Sequence, residues 1–139
     1  MRVFVDTNVL IDYVCKRETF FMPAKAVFAS CYLGKSQIAV SALSIVNSVY
    51  IGRKYGSEVL KSKLLALSNM IEVVDLPATT VLNNLTTDWK DYEDALQYNS
   101  ALAYYEADCI VTRNKKDYEK SSLPVYTADE YISFLNSNY

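Results

Sequence analysis

Short apolar runs alternate with segments of helical periodicity along the whole chain, and this alternation limits the possible fold more than any other feature. The apolar runs lie at residues 2–5, 37–40, 71–74, 109–112 and 123–126. Between them, apolar residues recur at the spacing of a helix face. Strands that alternate with helices favour an α/β fold with a mostly parallel sheet and helices on both faces. The sequence therefore predicts a five-stranded sheet of this kind.

Residues that commonly stand at helix ends support these predicted positions of strands and helices. Ser41 follows the second predicted strand, where its hydroxyl can cap a helix. Pro77 suits the first turn of a helix after the third strand. Thr127 and Glu130 have the spacing of a capping box, which predicts a final helix.

The length and composition fit one packed domain over residues 1–139. Of the 139 residues, 51% are hydrophobic and 22% are charged, and the formal net charge is −2. A chain with this balance folds, but it lacks the excess of Lys and Arg of a general polyanion binder. Any contact with a nucleic acid must therefore be local.

Two residue types exclude several classes of chemistry. The chain has no histidine, which removes Ser-His-Asp triads, Cys-His pairs and histidine zinc ligands. Cys15, Cys31 and Cys109 are odd in number and far apart, so neither a disulfide framework nor a cysteine zinc site is indicated. Any catalysis must depend on carboxylates.

The sequence also predicts a cytoplasmic protein with no membrane contact. An acid at position 6 interrupts the first apolar run too early for a signal peptide. No apolar run approaches the roughly 18 residues of a membrane-spanning helix. The unpaired cysteines suit a reducing compartment.

Acidic residues follow a strand and open a helix, where they could bind a cation. Asp6 directly follows the first strand, so its side chain would emerge at the carboxyl edge of the sheet, although it could instead only cap the next helix. Asp91 and Asp94 share a face at the start of the long helix that precedes the fourth strand. Acids in a first helical turn also favour the helix dipole, so this pair has a structural alternative.

A polar turn after the fourth strand adds further oxygen ligands at the same predicted edge. It has the sequence Thr-Arg-Asn-Lys-Lys-Asp, at residues 112–117. Turns favour such residues for conformational reasons alone. Together with Asp6 and Asp94, however, the turn offers the oxygen ligands that a hard cation such as Mg²⁺ prefers.

Three segments in this order resemble the PIN domain family. They are VDTNVLID at residues 5–12, DYEDA at residues 91–95 and IVTRNKKDY at residues 110–118. The resemblance covers nearly the whole chain. It implies a PIN-like three-layer α/β/α sandwich with a central, mostly parallel five-stranded sheet. It also implies a metal-dependent ribonuclease, and many small members of the family are VapC-like toxins of toxin–antitoxin pairs.

The resemblance assigns site residues by position. It implies that Asp6, Asp94 and Asp117 are catalytic and bind Mg²⁺ or Mn²⁺, with Asn114 at the last corner. One corner departs from the family pattern, because Asn47 stands where a Glu is usual and no acid lies between Glu18 and Glu58. Fewer anionic ligands would weaken metal binding, although an amide can still orient a water. An alternative is that Asn47 is only a solvated helix residue.

The implied reaction is phosphodiester hydrolysis of RNA by water that bound metal activates. Thr112, Arg113, Lys115 and Lys116 are the predicted substrate-binding residues, although cations in a turn can simply be solvated. Tyrosines near the site segments could stack on bases, but tyrosines at helical spacing more often pack the edge of a core. These tyrosines are Tyr98, Tyr104, Tyr105 and Tyr118.

The sequence leaves partners and other functions open. An antitoxin could cover the acidic groove, and a homodimer would be typical of such toxins. A degenerate PIN domain could instead bind RNA or protein without cutting. An aspartate-nucleophile phosphatase would need a second acid at Asn8, so that class is disfavoured.

Overall fold

The computed structural model describes residues 1–138, and its strands form one parallel sheet. The strands are β1 Arg2–Val5, β2 Gln37–Ser41, β3 Glu72–Val74, β4 Cys109–Val111 and β5 Val125–Tyr126. Their order is β3-β2-β1-β4-β5, and every neighbouring pair is parallel. The predicted five-stranded α/β fold is confirmed, with a sheet that is parallel throughout.

Seven α-helices lie within the described residues. They are α1 Thr7–Val14, α2 Phe21–Tyr32, α3 Ala42–Ile51, α4 Ser57–Leu67, α5 Ala78–Asn83, α6 Tyr92–Asn99 and α7 Ala128–Asn138. Helix α1 packs against α2, α3 and α4, and α2 also packs against α7. In residues 1–138, no helix combines the length and apolar character needed to cross a membrane.

Alternate residues of the strands enter two separate hydrophobic cores. Val3 and Val5 pack with Phe28 of α2 in one core, which also contains residues of α1, α4 and α7. Phe4 points to the opposite face and packs with Tyr105 in the second core. Side chains of a strand alternate between the two faces of a sheet, so apolar residues at every position require helices on both faces. The three-layer α/β/α arrangement is the result.

The strand order reverses beside β1, and this reversal locates the functional edge. The chain passes from β1 through β2 to β3 on one side, and it later adds β4 and β5 on the other side. Val5 of β1 is paired with Val111 of β4, so Asp6 and Thr112 follow at the same edge. Ligands of open α/β sheets bind outside the carboxyl ends of the strands at such a reversal.

The predicted helix ends are mostly confirmed. The Ser41 hydroxyl accepts a hydrogen bond from the backbone N–H of Ser44 at 3.0 Å and caps α3. The backbone N–H of Thr127 donates to the Glu130 carboxylate at 2.8 Å, and Thr127 Oγ1 accepts from the Glu130 N–H at 3.2 Å. This reciprocal pair is the predicted capping box. Pro77 was predicted in the first turn of α5, but it stands one residue earlier, at the cap.

The long helix predicted from Asp91 is divided into two parts. Asp91 caps regular α6, which ends at Asn99, and Ser100–Tyr104 continues as a π-helix. The backbone N–H of Tyr105 donates to the Ser100 carbonyl at 3.0 Å, which is the wider spacing of that helix type. Apolar periodicity cannot distinguish these two helix types, so the sequence did not indicate the change.

Candidate active site

Asp6 lies at the point where β1 meets β4, and its carboxylate is held by residues from both sides. Thr112, which follows β4, donates its hydroxyl hydrogen to Asp6 Oδ2 at 2.8 Å. The backbone N–H of Thr7 donates to Asp6 Oδ1 at 2.8 Å, so Asp6 also caps α1. The sequence left open whether Asp6 caps a helix or faces the sheet edge, and in the structure it does both. Its side chain is buried, with 6% of the residue surface exposed.

A buried amide that the sequence analysis missed connects this carboxylate to two helices. Gln97 Nε2 on α6 lies 2.7 Å from Ser44 Oγ, 2.9 Å from Thr7 Oγ1 and 3.3 Å from Asp6 Oδ1. Thr7 Oγ1 and Ser44 Oγ are themselves 2.7 Å apart. The network fixes α6 and α3 against the first turn of α1. Its one sequence signal is an uncharged polar residue one turn after Asp94 on the same helix face.

Tyr118 brings a second buried polar group to the same place. Only 2% of its surface is exposed, and its hydroxyl lies against the Asp6 carboxylate. Burial and the neighbouring Asp6 and Asp94 carboxylates raise the pKa of this phenol well above its usual range. Burial also raises the pKa of Asp6, against the lowering effect of its hydrogen bonds to Thr112 and Thr7. Tyr118 therefore stays neutral beside the acids.

Asp94 and its acidic neighbours form the charged part of the site. The Asp94 N–H donates to Asp91 Oδ1 at 3.1 Å, which begins α6 and turns both acids to one side. Burial, followed by repulsion from Asp6, Asp91, Asp117 and Glu93, raises the pKa of Asp94 from 3.8 to about 7. This shift shows that carboxylates from separate segments are close enough to repel one another, although they are far apart in sequence.

A cavity of about 660 Å³ opens at these acids. Asp94 and Asp117 line it together with Trp89, Lys116 and Lys120. Trp89 stacks on Tyr98 with ring centres 4.9 Å apart, and it meets Tyr118 edge to face at 5.8 Å. The lining of the cavity therefore combines carboxylates, an indole ring and lysines.

Asn47, at the position where the family resemblance implies a Glu, lies across from α6. Its Nδ2 donates to Glu93 Oε2 at 3.4 Å. Asn47 belongs to α3 and Glu93 to the first turn of α6, so this contact joins two helices that border the candidate site. Asn47 is half-buried, not a fully solvated helix residue.

The predicted substrate-binding residues separate into two groups. Thr112 is buried, and its hydroxyl holds Asp6. Arg113 makes two hydrogen bonds to Asp12, at 2.7 Å and 3.2 Å, and its guanidinium lies 4.1 Å above the centre of the Phe20 ring. These two side chains are therefore engaged inside the protein.

The remaining turn residues are exposed. Lys115 pairs with Glu130 at 3.1 Å, whereas Lys116 faces the acidic cavity. Asn114 accepts a backbone hydrogen bond from the Asp117 N–H at 3.0 Å and lines a different cavity, beside Arg113. The structure thus brings Lys116 to the acids that line the cavity, but it does not bring Arg113 there.

The donor set suits Mg²⁺ or Mn²⁺ without forming a complete cage. Among residues 1–138, no three Asp, Glu, His or Cys side chains are arranged as a ready ligand group. Mg²⁺ usually keeps several waters and takes only one or two carboxylates, so an incomplete set still fits this ion. A cation would also relieve the mutual repulsion that raises the pKa of Asp94.

A parallel sheet with carboxylates gathered where its strand order reverses defines a class of α/β domain with an acidic site at the carboxyl edge. A family model, described as the PIN domain, matches residues 2–116. The chain belongs to the PIN domain family.

Comparison with solved structures gives the same fold. The chain is similar to a toxin–antitoxin complex from Klebsiella pneumoniae, with 24% identity, a TM-score of 0.66 and coverage of 91% of this chain and 97% of the other. It is also similar to VapBC2 from Rickettsia felis bound to a promoter DNA fragment, with 20% identity, a TM-score of 0.64 and coverage of 90% and 97%. No curated protein matches the sequence.

Proposed function

We propose that the protein is a metal-dependent endoribonuclease and the toxin of a toxin–antitoxin pair. The observation that carries this proposal is the gathering of Asp6, Asp94 and Asp117 from three distant segments at the reversal of strand order. Membership of the PIN domain family supports nuclease chemistry. The likeness to toxin–antitoxin structures supports the biological role.

Asp6, Asp94 and Asp117 would hold the metal, and the amide oxygens of Asn47 and Asn114 would complete the set. When bound, Mg²⁺ or Mn²⁺ supplies a Lewis acid that polarises the scissile phosphate and activates water. The protein itself fixes the position of the first carboxylate, because Thr112, Thr7 and Gln97 all donate to Asp6. This preorganisation lowers the cost of forming the site.

Lys116 is the predicted substrate-binding residue best placed to contact RNA. It lines the acidic cavity, and the structure gives it no ion pair among residues 1–138. Its ammonium group would bind an RNA phosphate beside the acids. Lys115 would contribute further along the backbone. Arg113 and Thr112 would support the site indirectly, through their bonds to Asp12 and Asp6.

The toxin role implies an antitoxin partner in the cytoplasm that covers the acidic cavity, and a homodimer would be in keeping with such toxins.

The experiment that tests the catalytic part is incubation of the pure protein with a single-stranded RNA in Mg²⁺, in Mn²⁺ and in EDTA. We expect internal cleavage with either metal and none in EDTA. Cleavage that persists in EDTA would contradict a metal-dependent site.

A non-cutting PIN domain is the second candidate, and a specific observation favours it. Asn47 provides no charge at its corner, and the described residues contain no ready group of three ligands. Such a protein would bind the RNA with no cleavage in any metal.

Phosphatase chemistry has less support, because Asn8 uses its side chain to hold the turn after β4. The Asn8 Oδ1 accepts a hydrogen bond from the Arg113 N–H at 3.3 Å.

Stability of the metal-free protein should depend on pH through Asp94. Its pKa is about 7 in the folded state and 3.8 in the reference state, so between these values the folded protein retains a proton that the unfolded chain loses. The free energy of unfolding should therefore fall as pH rises from about 4 to about 7. We expect Asp94→Asn to reduce this dependence, as measured by urea unfolding in EDTA at pH 5 and pH 8. Parallel pH profiles for the two proteins would exclude the assignment.

A further inference from the structure

A second cavity, of about 510 Å³, has no part in the proposed nuclease chemistry. Asp6 caps the start of α1, whereas Val14 of this cavity ends that helix. Phe21, the first residue of α2, lines the cavity, as do Leu67 at the end of α4 and Met70 in the turn that follows. A cavity of this size with largely apolar walls can bury part of a bound molecule.

Three lysines line the same cavity, one from each of the segments that form its wall. They are Lys16 after α1, Lys25 of α2 and Lys63 of α4. Among residues 1–138, no acid lines this cavity, and none of the three lysines forms an ion pair. Lys63 donates instead to the Val14 carbonyl at 3.3 Å, and Lys25 lies 5.9 Å from the centre of the Phe21 ring. The cavity therefore has an unbalanced positive charge, which is complementary to an anionic ligand.

The wall of this cavity favours an acidic peptide over a nucleic acid. RNA bases stack on the free faces of aromatic rings. Here Tyr13 stacks on Phe28 with ring centres 4.7 Å apart and lies parallel to Phe21 at 6.1 Å, so the rings pack on one another. The three lysines also come from separate segments. Carboxylates spaced along a peptide suit such an arrangement better than the single head group of a fatty acid.

We propose that this basic cavity docks an acidic, amphipathic segment of a protein partner. An apolar side chain of the segment enters against Val14, Leu67 and Met70, and its carboxylates pair with the lysines. The cavity that Asp94 and Asp117 line would repel the same segment, so charge directs it to the basic cavity. The inference goes beyond the proposed function, because none of the acids that would hold the metal lines the basic cavity.

The test is NMR of the pure protein with labelled methionine methyl groups. Met70 lines the basic cavity, whereas Met22 is exposed on α2 and does not line it. The probe is a synthetic peptide of about 14 residues with Leu at helical spacing and Glu at the other positions. We expect the Met70 signal to shift saturably and the Met22 signal to stay in place, with weaker binding in about 0.5 M NaCl. A matched peptide with Lys in place of each Glu should shift neither signal.

Lys25→Glu tests whether the charge of the cavity directs the binding. Lys25 is exposed, so this change leaves the hydrophobic core intact. We expect the acidic peptide to bind this variant at least about 5-fold more weakly than wild type. Lys35→Glu makes the same change in net charge at an exposed residue outside the cavity, and it should bind the peptide like wild type.

Several results would overturn the docking of an acidic segment. They are the absence of a Met70 shift, an equal shift with both peptides, and equal affinity of Lys25→Glu and wild type. A Met70 shift with single-stranded RNA or with decanoate, but not with the acidic peptide, would assign the cavity to that other ligand and also overturn the proposal. RNA cleavage is measured separately, so failure of the docking proposal leaves the proposed nuclease function standing.

Discussion

Asp94→Asn is expected to cut RNA at least about 100-fold more slowly than the wild-type protein while remaining fully folded. Asp94 is repelled by four neighbouring acids, which are Asp6, Asp91, Asp117 and Glu93. Its loss should therefore weaken metal binding more than the loss of any single exposed acid. The amide also removes a repelled charge, and we therefore expect no loss of stability at pH 8. Cleavage rates of a labelled RNA in Mg²⁺, compared with thermal melting, measure both effects.

Asp88→Asn is the matched control for this experiment. Asp88 also lines the cavity, but it is exposed and pairs with Lys120 at 2.9 Å. We expect this variant to cleave RNA at close to the wild-type rate. Equal activity of Asp94→Asn and wild type would show that the reaction does not depend on the acidic cluster, and a contaminating nuclease would then have to be excluded.

Arg113→Met is expected to lower the free energy of unfolding by about 3 kcal/mol, the largest effect that we predict on stability. Asp12 is buried, with 1% of its surface exposed, and Arg113 makes both of its short hydrogen bonds. Removal of the guanidinium would leave a buried carboxylate with only Arg17, whose Nη1 lies 3.6 Å away. Unfolding in guanidinium chloride at pH 7 measures the change in the free energy of unfolding.

Lys115→Met provides the comparison, because Lys115 forms an exposed ion pair with Glu130 in the same turn. Exposed pairs contribute less than about 1 kcal/mol, so this variant should unfold close to wild type. The contrast tests the two interpretations of Arg113. If Arg113→Met keeps its stability but loses affinity for RNA, the interpretation from the sequence, in which Arg113 binds substrate, would be preferred.

The sequence could predict the fold because each strand and most helix ends carry a local signal. The apolar run before Asp6 and the capping box at Thr127 depend on neighbouring residues, and both are present as expected. The position of Asp6 at the sheet edge follows from the strand that precedes it. Local signals of this kind are reliable because their physical cause acts over a few residues.

The connections inside the site could not be predicted in the same way. Gln97 lies 91 positions from Asp6, and Arg113 lies 101 positions from Asp12. Whether a turn arginine faces solvent or a buried carboxylate depends on tertiary packing, and a glutamine on a helix gives no sign of its partner. The contact between Asn47 and Glu93 was missed for this reason, since only the packing of α3 against α6 creates it.

The hydrogen bond from Thr112 to Asp6 has a consequence for biosynthesis. It joins residues 106 positions apart, and Asp94, Asp117 and Tyr118 also come from the last third of the chain. During translation, the first strand leaves the ribosome long before these partners exist, so an unfinished chain carries Asp6 without the rest of the cluster. If the protein is a toxin, the ribosome that makes it would meet an assembled site only after Tyr118 has been synthesised.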